Sequence, residues 1–394
     1  MKIAVLGPAH PLRGGIVYYL ALLDRALRAA GHDVTFAGFL RQYPEHVPDL
    51  PFVRRLRFPG SDQVDDGAET VPVASTPVFV PWSPRSWWRT ARLIAASGAR
   101  CVVLKWWIPF FGPGYTAVTR LLERRGVRTI AILDNVVPHE GWPMGRMITR
   151  LGLGSMHGYI AQSAAVRDDL MALLPATAPD RVRLVHHPTY DFGPGRAGSR
   201  EAARAALGVR ERHLLLFFGF IKPYKGLMVL IEALPLLRER LGDSFRLLVV
   251  GDFYEDRAPY DRRIAELGVG DRIELVAGYA PNDAVADYFV ASDLVVLPYR
   301  SATQSGIVQI AYNYARPVVT TRVGGMPEFV DDGATGYLVP PDDPAALAAA
   351  VTRYLEEADR PRFAAAIAEK RRAYSWEALV DAIVDLGAPR DGGR

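Results

Sequence analysis

Residues 293–341, DLVVLPYRSATQSGIVQIAYNYARPVVTTRVGGMPEFVDDGATGYLVPP, constrain the fold more than any other stretch of the chain. Two apolar runs, 293–298 and 317–320, flank a helical pattern that opens at Thr303-Gln304-Ser305-Gly306. A second glycine loop, Gly324-Gly325-Met326-Pro327-Glu328, follows the second run and leads into another short helix. Strand, polar loop and helix start recur at both junctions, which points backbone N–H groups at one edge of a parallel sheet. Such an edge suits an anionic ligand such as a diphosphate.

The same order of elements runs through both halves. A strand at 2–6, the loop 7–15 and an apolar-periodic helix over 16–30 open the first half. Gly31-His32-Asp33 closes that helix, and 34–37 reads as the next strand. Further core strands are expected at 101–104, 129–133 and 159–161. The second half restarts with a strand at 214–218, the loop 219–226 and a helix over 227–240. Strands at 246–250, 273–276, 293–298 and 317–320 follow. Alternation at these lengths predicts an α/β chain with a doubly wound parallel sheet in each half. The boundary is expected between His187 and Arg212, where prolines, glycines and a charge-rich helix intervene. The expected domains are 1–190 and 191–372, with a segment 373–394 holding a serine-capped amphipathic helix at 375–384.

With 394 residues, 49% apolar and 23% charged, the chain has the composition of a globular protein of about two to three domains. Net charge +4 and a pI of about 9.1 favour phosphate-bearing ligands or an anionic membrane surface. The basic residues are dispersed and no nucleic-acid motif occurs, so no nucleic-acid partner is expected. Cys101 is the only cysteine, which excludes an internal disulfide and a cysteine metal cluster. It begins the run CVVL and is expected in the core. No apolar run reaches the length of a membrane span, and residues 1–7 read as a core strand rather than a signal peptide. A cytoplasmic protein is expected.

Several segments of the second half carry a family likeness: 219–226 (GFIKPYKG) with the helix LMVLIEAL, 248–252 (LVVGD), 323–330 (VGGMPEFV) and 333–340 (GATGYLVP). Together with the runs 293–298 and 317–319 they resemble a GT-B fold glycosyltransferase of the GT4 type, a retaining group. The resemblance implies two Rossmann-like doubly wound parallel-sheet domains facing across a cleft, the first on the acceptor side and the second holding the donor. It implies transfer of a hexose or related sugar from a UDP- or GDP-linked nucleotide-sugar donor to a carbohydrate or lipid-linked acceptor. Retention of configuration, a role in glycan or glycolipid biosynthesis, and no cofactor or metal are implied with it. The family's two glutamates, however, fall on Ala302 and Ile310, its arginine on Phe220, and a first-domain histidine on Asp134. A subgroup with a Gln-Ser-Gly loop in place of the first glutamate is similar to this chain at that point.

In that frame Lys222 and Lys225 are the candidate cations for the leaving diphosphate, between a strand end and a helix start. Lys225 holds the family's lysine position, and Lys222 supplies the charge missing at Phe220. Front-face attack assisted by a donor phosphate oxygen makes catalysis a matter of positioning and electrostatics. Gly219, Gln304, Ser305 and Gly306 are expected to bring donors to the diphosphate, although helix capping alone also accounts for Ser305. Ile310 cannot accept from ribose hydroxyls, so Gln309, Gln304 or Glu328 would compensate. Glu328 fits equally as a first-turn residue favoured by the helix dipole. Gly251-Asp252 and Gly278-Tyr279 end strands where base or ribose would lie, and Asp252 is equally a turn residue.

In the first half, Gly14 and Gly15 allow close backbone approach of donor phosphate or acceptor, and Arg13 adds charge. Lys105-Trp106-Trp107 and the aromatics after them read as a loop that either stacks on a sugar or forms a satellite core. Asp134-Asn135 and Pro138-His139-Glu140 follow the next strand; His139 would orient the sugar or acceptor hydroxyl, with Glu140 as its partner. His187-Pro188 reads as structural. The histidines lack metal-ligand spacing and no Asp-x-Asp pair occurs. The helix 145–154 sets Met147, Ile148 and Leu151 opposite Arg146 and Arg150, and either lies on an anionic bilayer or packs into its domain. Competing readings are a nucleotide-sugar epimerase using His139 and Glu140, and a catalytically silent nucleotide-sugar-binding protein, which Ala302 and Ile310 would suit.

Overall fold

The computed structural model describes residues 1–12, 14–44, 73–136, 144–278, 280–357 and 359–388. The chain divides into two compact units, Met1–Pro188 with Ser375–Arg394, and Thr189–Tyr374.

In the first unit the strands are β1 (Lys2–Gly7), β2 (Asp33–Phe39), β3 (Ser75–Phe79), β4 (Cys101–Trp106), β5 (Arg128–Leu133), β6 (Gly158–Ala161) and β7 (Val182–Leu184). They pair in parallel in the order β3-β2-β1-β4-β5-β6-β7. Strands in the middle of a parallel sheet are covered on both faces, so they are continuous apolar runs rather than alternating ones. Accordingly β4 is buried from Cys101 to Trp106 and β1 from Ile3 to Gly7. The intervening helices are α1 (Gly15–Ala29), α2 (Pro84–Ala96), α3 (Gly112–Glu123), α4 (Gly145–Gly154) and α5 (Ala164–Leu173). From β3 through β6 the chain steps across the sheet in one direction, and right-handed crossovers put α2, α3 and α4 on one face. There Gly114 of α3 abuts Trp87 of α2, and Thr119 Oγ1 lies 3.0 Å from Ser155 Oγ beyond α4. The step from β1 to β2 runs the other way and sends α1 to the opposite face.

The second unit has β8 (His213–Phe218), β9 (Phe245–Gly251), β10 (Ile273–Ala277), β11 (Leu294–Leu297), β12 (Val318–Thr321) and β13 (Gly336–Val339), parallel in the order β10-β9-β8-β11-β12-β13. Its helices are α6 (Arg200–Ala206), α7 (Leu227–Leu241), α8 (Ala258–Leu267), α9 (Asn282–Ala291), α10 (Gly306–Asn313), α11 (Met326–Phe329), α12 (Pro344–Glu357) and α13 (Arg360–Arg372). Its core is built of apolar residues from β8, β9, α7 and α12, among them Phe217, Leu230, Leu247 and Val351. Each such side chain, fully buried, contributes on the order of 1.5–3 kcal/mol by leaving water.

The last helix, α14 (Trp376–Gly387), belongs to the first unit. Ser375 caps it by accepting from Ala378 N at 3.2 Å. It packs on the face that carries α1, with the Trp376 and Tyr19 rings 5.2 Å apart and Leu386 against Gly158.

Every strand expected from the apolar runs is present, with ends shifted by one or two residues. Of the three strands without an expected counterpart, β3, β7 and β13, each lies at the edge of its sheet. Lys105 and Trp106 belong to β4 instead of a loop, and both are fully buried.

Candidate functional site

Ligand sites in open parallel sheets form beyond the strand C-termini, where the strand order reverses. In the second unit that point lies between β8 and β11, with α7 leaving β8 to one side and α10 leaving β11 to the other. No side chain caps either helix start, so their first-turn N–H groups are not satisfied by a capping residue. Two glycines let these loops close on each other. Gly226, at φ 73°, seats the start of α7 where a Cβ would meet Pro298 O at 1.9 Å. Gly324, at φ 46°, brings the second glycine loop onto Ala302, whose carbonyl would stand 2.0 Å from a Cβ. Backbone bonds tie the lysine loop to the end of β9: Gly219 N donates to Val250 O at 2.9 Å and Ile221 N to Asp252 O at 2.8 Å.

Lys225 and Ser305 are brought together by a residue that the motifs did not single out. Lys225 Nζ donates to Tyr299 Oη at 3.0 Å, and that hydroxyl lies 3.2 Å from Ser305 Oγ. The Ser305 hydroxyl therefore faces Tyr299 instead of capping α10. Tyr299 is fully buried, which raises its phenol pKa. Burial is also the main cause that pushes the partly buried Lys225 ammonium below the usual lysine range, and Lys222 adds to it. Among the described residues no carboxylate pairs with Lys225. A desolvated cation of this kind is best stabilised by an anion. Lys222 stands 5.3 Å from the Tyr254 ring centroid.

The two positions that carry glutamates in the resembling family hold Ala302 and Ile310, 4% and 5% exposed. Beside them lie unsatisfied amides. Among the described residues neither amide atom of Gln309, fully buried in α10, has a hydrogen-bond partner, and buried Gln304 Oε1 has none. Buried polar atoms in such a state are rare in folded proteins. Glu328 is partly buried in α11, with its carbonyl accepting from Tyr374 Oη at 3.4 Å. Arg13, His139, Glu140 and Tyr279 lie outside the described residues.

In the first unit the order reverses between β1 and β4. There α1 starts after Gly14 (φ 120°) without a side-chain cap, and among the described residues a Cβ at Gly14 or Gly15 would meet nothing within 4 Å. Nothing among the described side chains crowds this backbone. Across from it, Trp106 cannot stack on a sugar, because its ring is fully buried in the core against Gly112 and Gly152. Trp107, half-buried 4.5 Å from Phe111, joins the same aromatic core and fits the satellite reading. Asp134 is not free for a sugar either: it pairs with buried Lys105 at 2.7 Å. Lys105 Nζ also donates to Gln162 Oε1 at 3.0 Å and sits 3.4 Å from the Tyr19 ring centroid. Gln162 Nε2 in turn donates to Tyr19 Oη at 2.9 Å, and His187 meets the Tyr19 ring edge-on at 4.9 Å. Among the described residues Asn135 Oδ1 is buried without a partner. A lysine within CVVLKW and an aspartate at the end of TIAILD, on neighbouring strands, were the signal for this ion pair.

Residues 13–189 match the family model described as Glycosyltransferase Family 4, and residues 212–357 the one described as Glycosyl transferases group 1. The chain belongs to glycosyltransferase family 4. Relatives include D-inositol 3-phosphate glycosyltransferase 1 of Catenulispora acidiphila, 31% identical over 245 residues, which are 60% of this chain and 58% of that protein. The D-inositol 3-phosphate glycosyltransferase of Acidothermus cellulolyticus is 26% identical over 96% of this chain and 86% of its own length. In the alignments of higher identity the chain spans 47% to 65% of its relatives' length. Among solved structures, Anabaena HepE in complex with UDP superposes with a TM-score of 0.72 at 17% identity, covering 98% of this chain and 99% of that one. The fold is GT-B.

Proposed function

We propose that this family 4 protein transfers a hexose or related sugar from a UDP- or GDP-linked donor to a carbohydrate or lipid-linked acceptor, in glycan or glycolipid biosynthesis. The observation that carries this reading is Lys225: a desolvated ammonium with no carboxylate partner among the described residues, bound to Tyr299 between two uncapped helix starts. A diphosphate placed there gains a cation and two sets of backbone N–H donors as the glycosidic bond breaks. HepE, whose fold this chain shares, was solved with UDP bound.

The reading includes retention of configuration and no requirement for a divalent cation, the leaving-group charge being met by Lys222, Lys225 and the helix starts. It places the chain in the subgroup with Gln-Ser-Gly in place of the first glutamate. In it the amide oxygen of Gln304 and the amide of Gln309, unsatisfied among the described residues, take over the sugar or ribose hydroxyls that Ala302 and Ile310 cannot bind. The reaction is assigned to the cytoplasm. Among the described residues no helix is long and apolar enough to cross a membrane.

The test is thermal stabilisation of the full chain by UDP, GDP and ADP, followed by diphosphate release from matching nucleotide-sugars with an acceptor panel. UDP or GDP should raise the melting temperature, and turnover should persist in a chelator. Absence of any nucleotide effect overturns the reading, and binding without turnover across the panel would favour a silent binding protein.

A further inference from the structure

The helix layer α2–α3–α4 presents an outer surface that the donor site does not use. On α2 the exposed positions Arg85, Trp88, Arg89, Arg92 and Ala96 fall at helical spacing on one stripe. Trp88 is 53% exposed, with the Arg92 guanidinium 5.4 Å from its ring centroid, and Trp82 is exposed just before the helix. On α3 the outward residues include Arg120, and Arg124 is exposed just past its end. The structure corrects the expected division of α4: Ile148 turns inward against Gly112, while Met147 and Leu151 are 53% and 56% exposed beside Arg146 and Arg150. Met144 is exposed at its start.

Large apolar side chains therefore point away from the core on the same layer as a row of arginines. None of these arginines forms an ion pair among the described residues. Neither α2 nor α4 contains an acidic residue, and α3 adds Glu123 alone. A hollow of about 920 Å³ opens between the ends of α3 and α4, and its charged lining is Arg120, Arg128, Arg150 and Arg181 with Glu123 as the one carboxylate beside them and His157 at its wall. It lies at the N-terminal edge of the sheet, away from the strand ends that form the candidate site.

We propose that the outer faces of α2, α3 and α4 form a docking surface for an anionic phospholipid membrane. Tryptophan, methionine and leucine side chains enter the interface between head groups and acyl chains, and the arginines meet lipid phosphates, two of them from the rim of the hollow. The charge is what selects this occupant: a protein partner would have to bring an equally extended acidic face with apolar sockets, whereas an anionic bilayer offers both without specific shape. The proposal does not rest on the donor reading.

Flotation of the full chain with vesicles tests it. Vesicles of phosphatidylcholine containing phosphatidylglycerol should carry the protein at low salt and lose most of it at high salt, while pure phosphatidylcholine should not. Two variants, Met147→Ser/Leu151→Ser and Arg85→Ser/Arg89→Ser/Arg92→Ser, should each bind the anionic vesicles about tenfold more weakly or worse. Both should keep the wild-type melting temperature and response to nucleotide. No binding to anionic vesicles, equal binding to both compositions, or unchanged binding of folded variants overturns the proposal. So does binding to a random nucleic-acid duplex as tight as to the vesicles.

Discussion

Lys105 shows what a buried charge demands of its surroundings. Its ammonium has no exposure at the end of β4, and Asp134 at 2.7 Å, Gln162 and the face of Tyr19 replace the lost water. Burial drives the lysine pKa down and the aspartate pKa up, and their contact opposes both shifts. Removing one partner leaves the other charge stranded, so Asp134→Asn should destabilise the fold by about 3–5 kcal/mol in urea unfolding. The double variant Lys105→Met/Asp134→Leu should regain much of that loss, because the desolvation penalty goes with the charges. An Asp134→Asn protein as stable as wild type would show that the pair contributes nothing. His187, buried beside this pair, is pushed down to about 3 by burial first and Lys105 second. Its folded-state pKa lies below the unfolded value of 6.5, so the unfolded chain takes up the proton first. The stability tied to neutral His187 is complete above pH 6.5 and is lost as pH falls from there towards 3, at roughly 1.4 kcal/mol per pH unit. The His187→Gln protein should show a correspondingly shallower loss between neutral pH and pH 5, and an identical pH profile would contradict this. Lys225 could be read from its motif. Tyr299 could not, since a tyrosine after an apolar run looks like core until β11 is seated next to β8.

Among elements, α7 and α10 hold the candidate site, and both depend on how their loops close. Gly226 has a left-handed φ and sits where any Cβ would collide with the Pro298 carbonyl, so neither backbone nor neighbour can accommodate alanine. Gly226→Ala should therefore move the start of α7 and abolish nucleotide-dependent stabilisation, even if the variant folds. A variant that still responds fully to nucleotide would show that this helix start is not part of the site. The central strands and long helices were legible because burial on both faces writes an apolar run, and a helix face writes its period into the sequence. The edge strands β3 and β7 were not, for β3 is partly or fully exposed at four of its five positions and β7 at all three. Helix α4 was legible as a helix but not in orientation: which apolar residues turn inward depends on Gly112 and Gly152 admitting Ile148 and Trp106.

Across the whole molecule, each unit has among its described residues one parallel sheet, one reversal of strand order and an uncapped helix start beside it. That repetition was legible because strand, glycine loop and helix recur in both halves. The chemistry was legible only in part, because Ala302 and Ile310 remove the residues that would name the sugar and ribose contacts, and the amides beside them reveal their unsatisfied state only once folded. The central claim is that the reversal point of the second unit binds a nucleoside diphosphate through Lys225. Titration calorimetry of UDP and GDP against the wild-type chain and Lys225→Ala tests it most directly. One nucleotide should bind at one site per chain, and Lys225→Ala should weaken it by about tenfold or more without lowering the melting temperature of the free protein. If neither nucleotide binds, or if Lys225→Ala binds as tightly as wild type, the account is wrong.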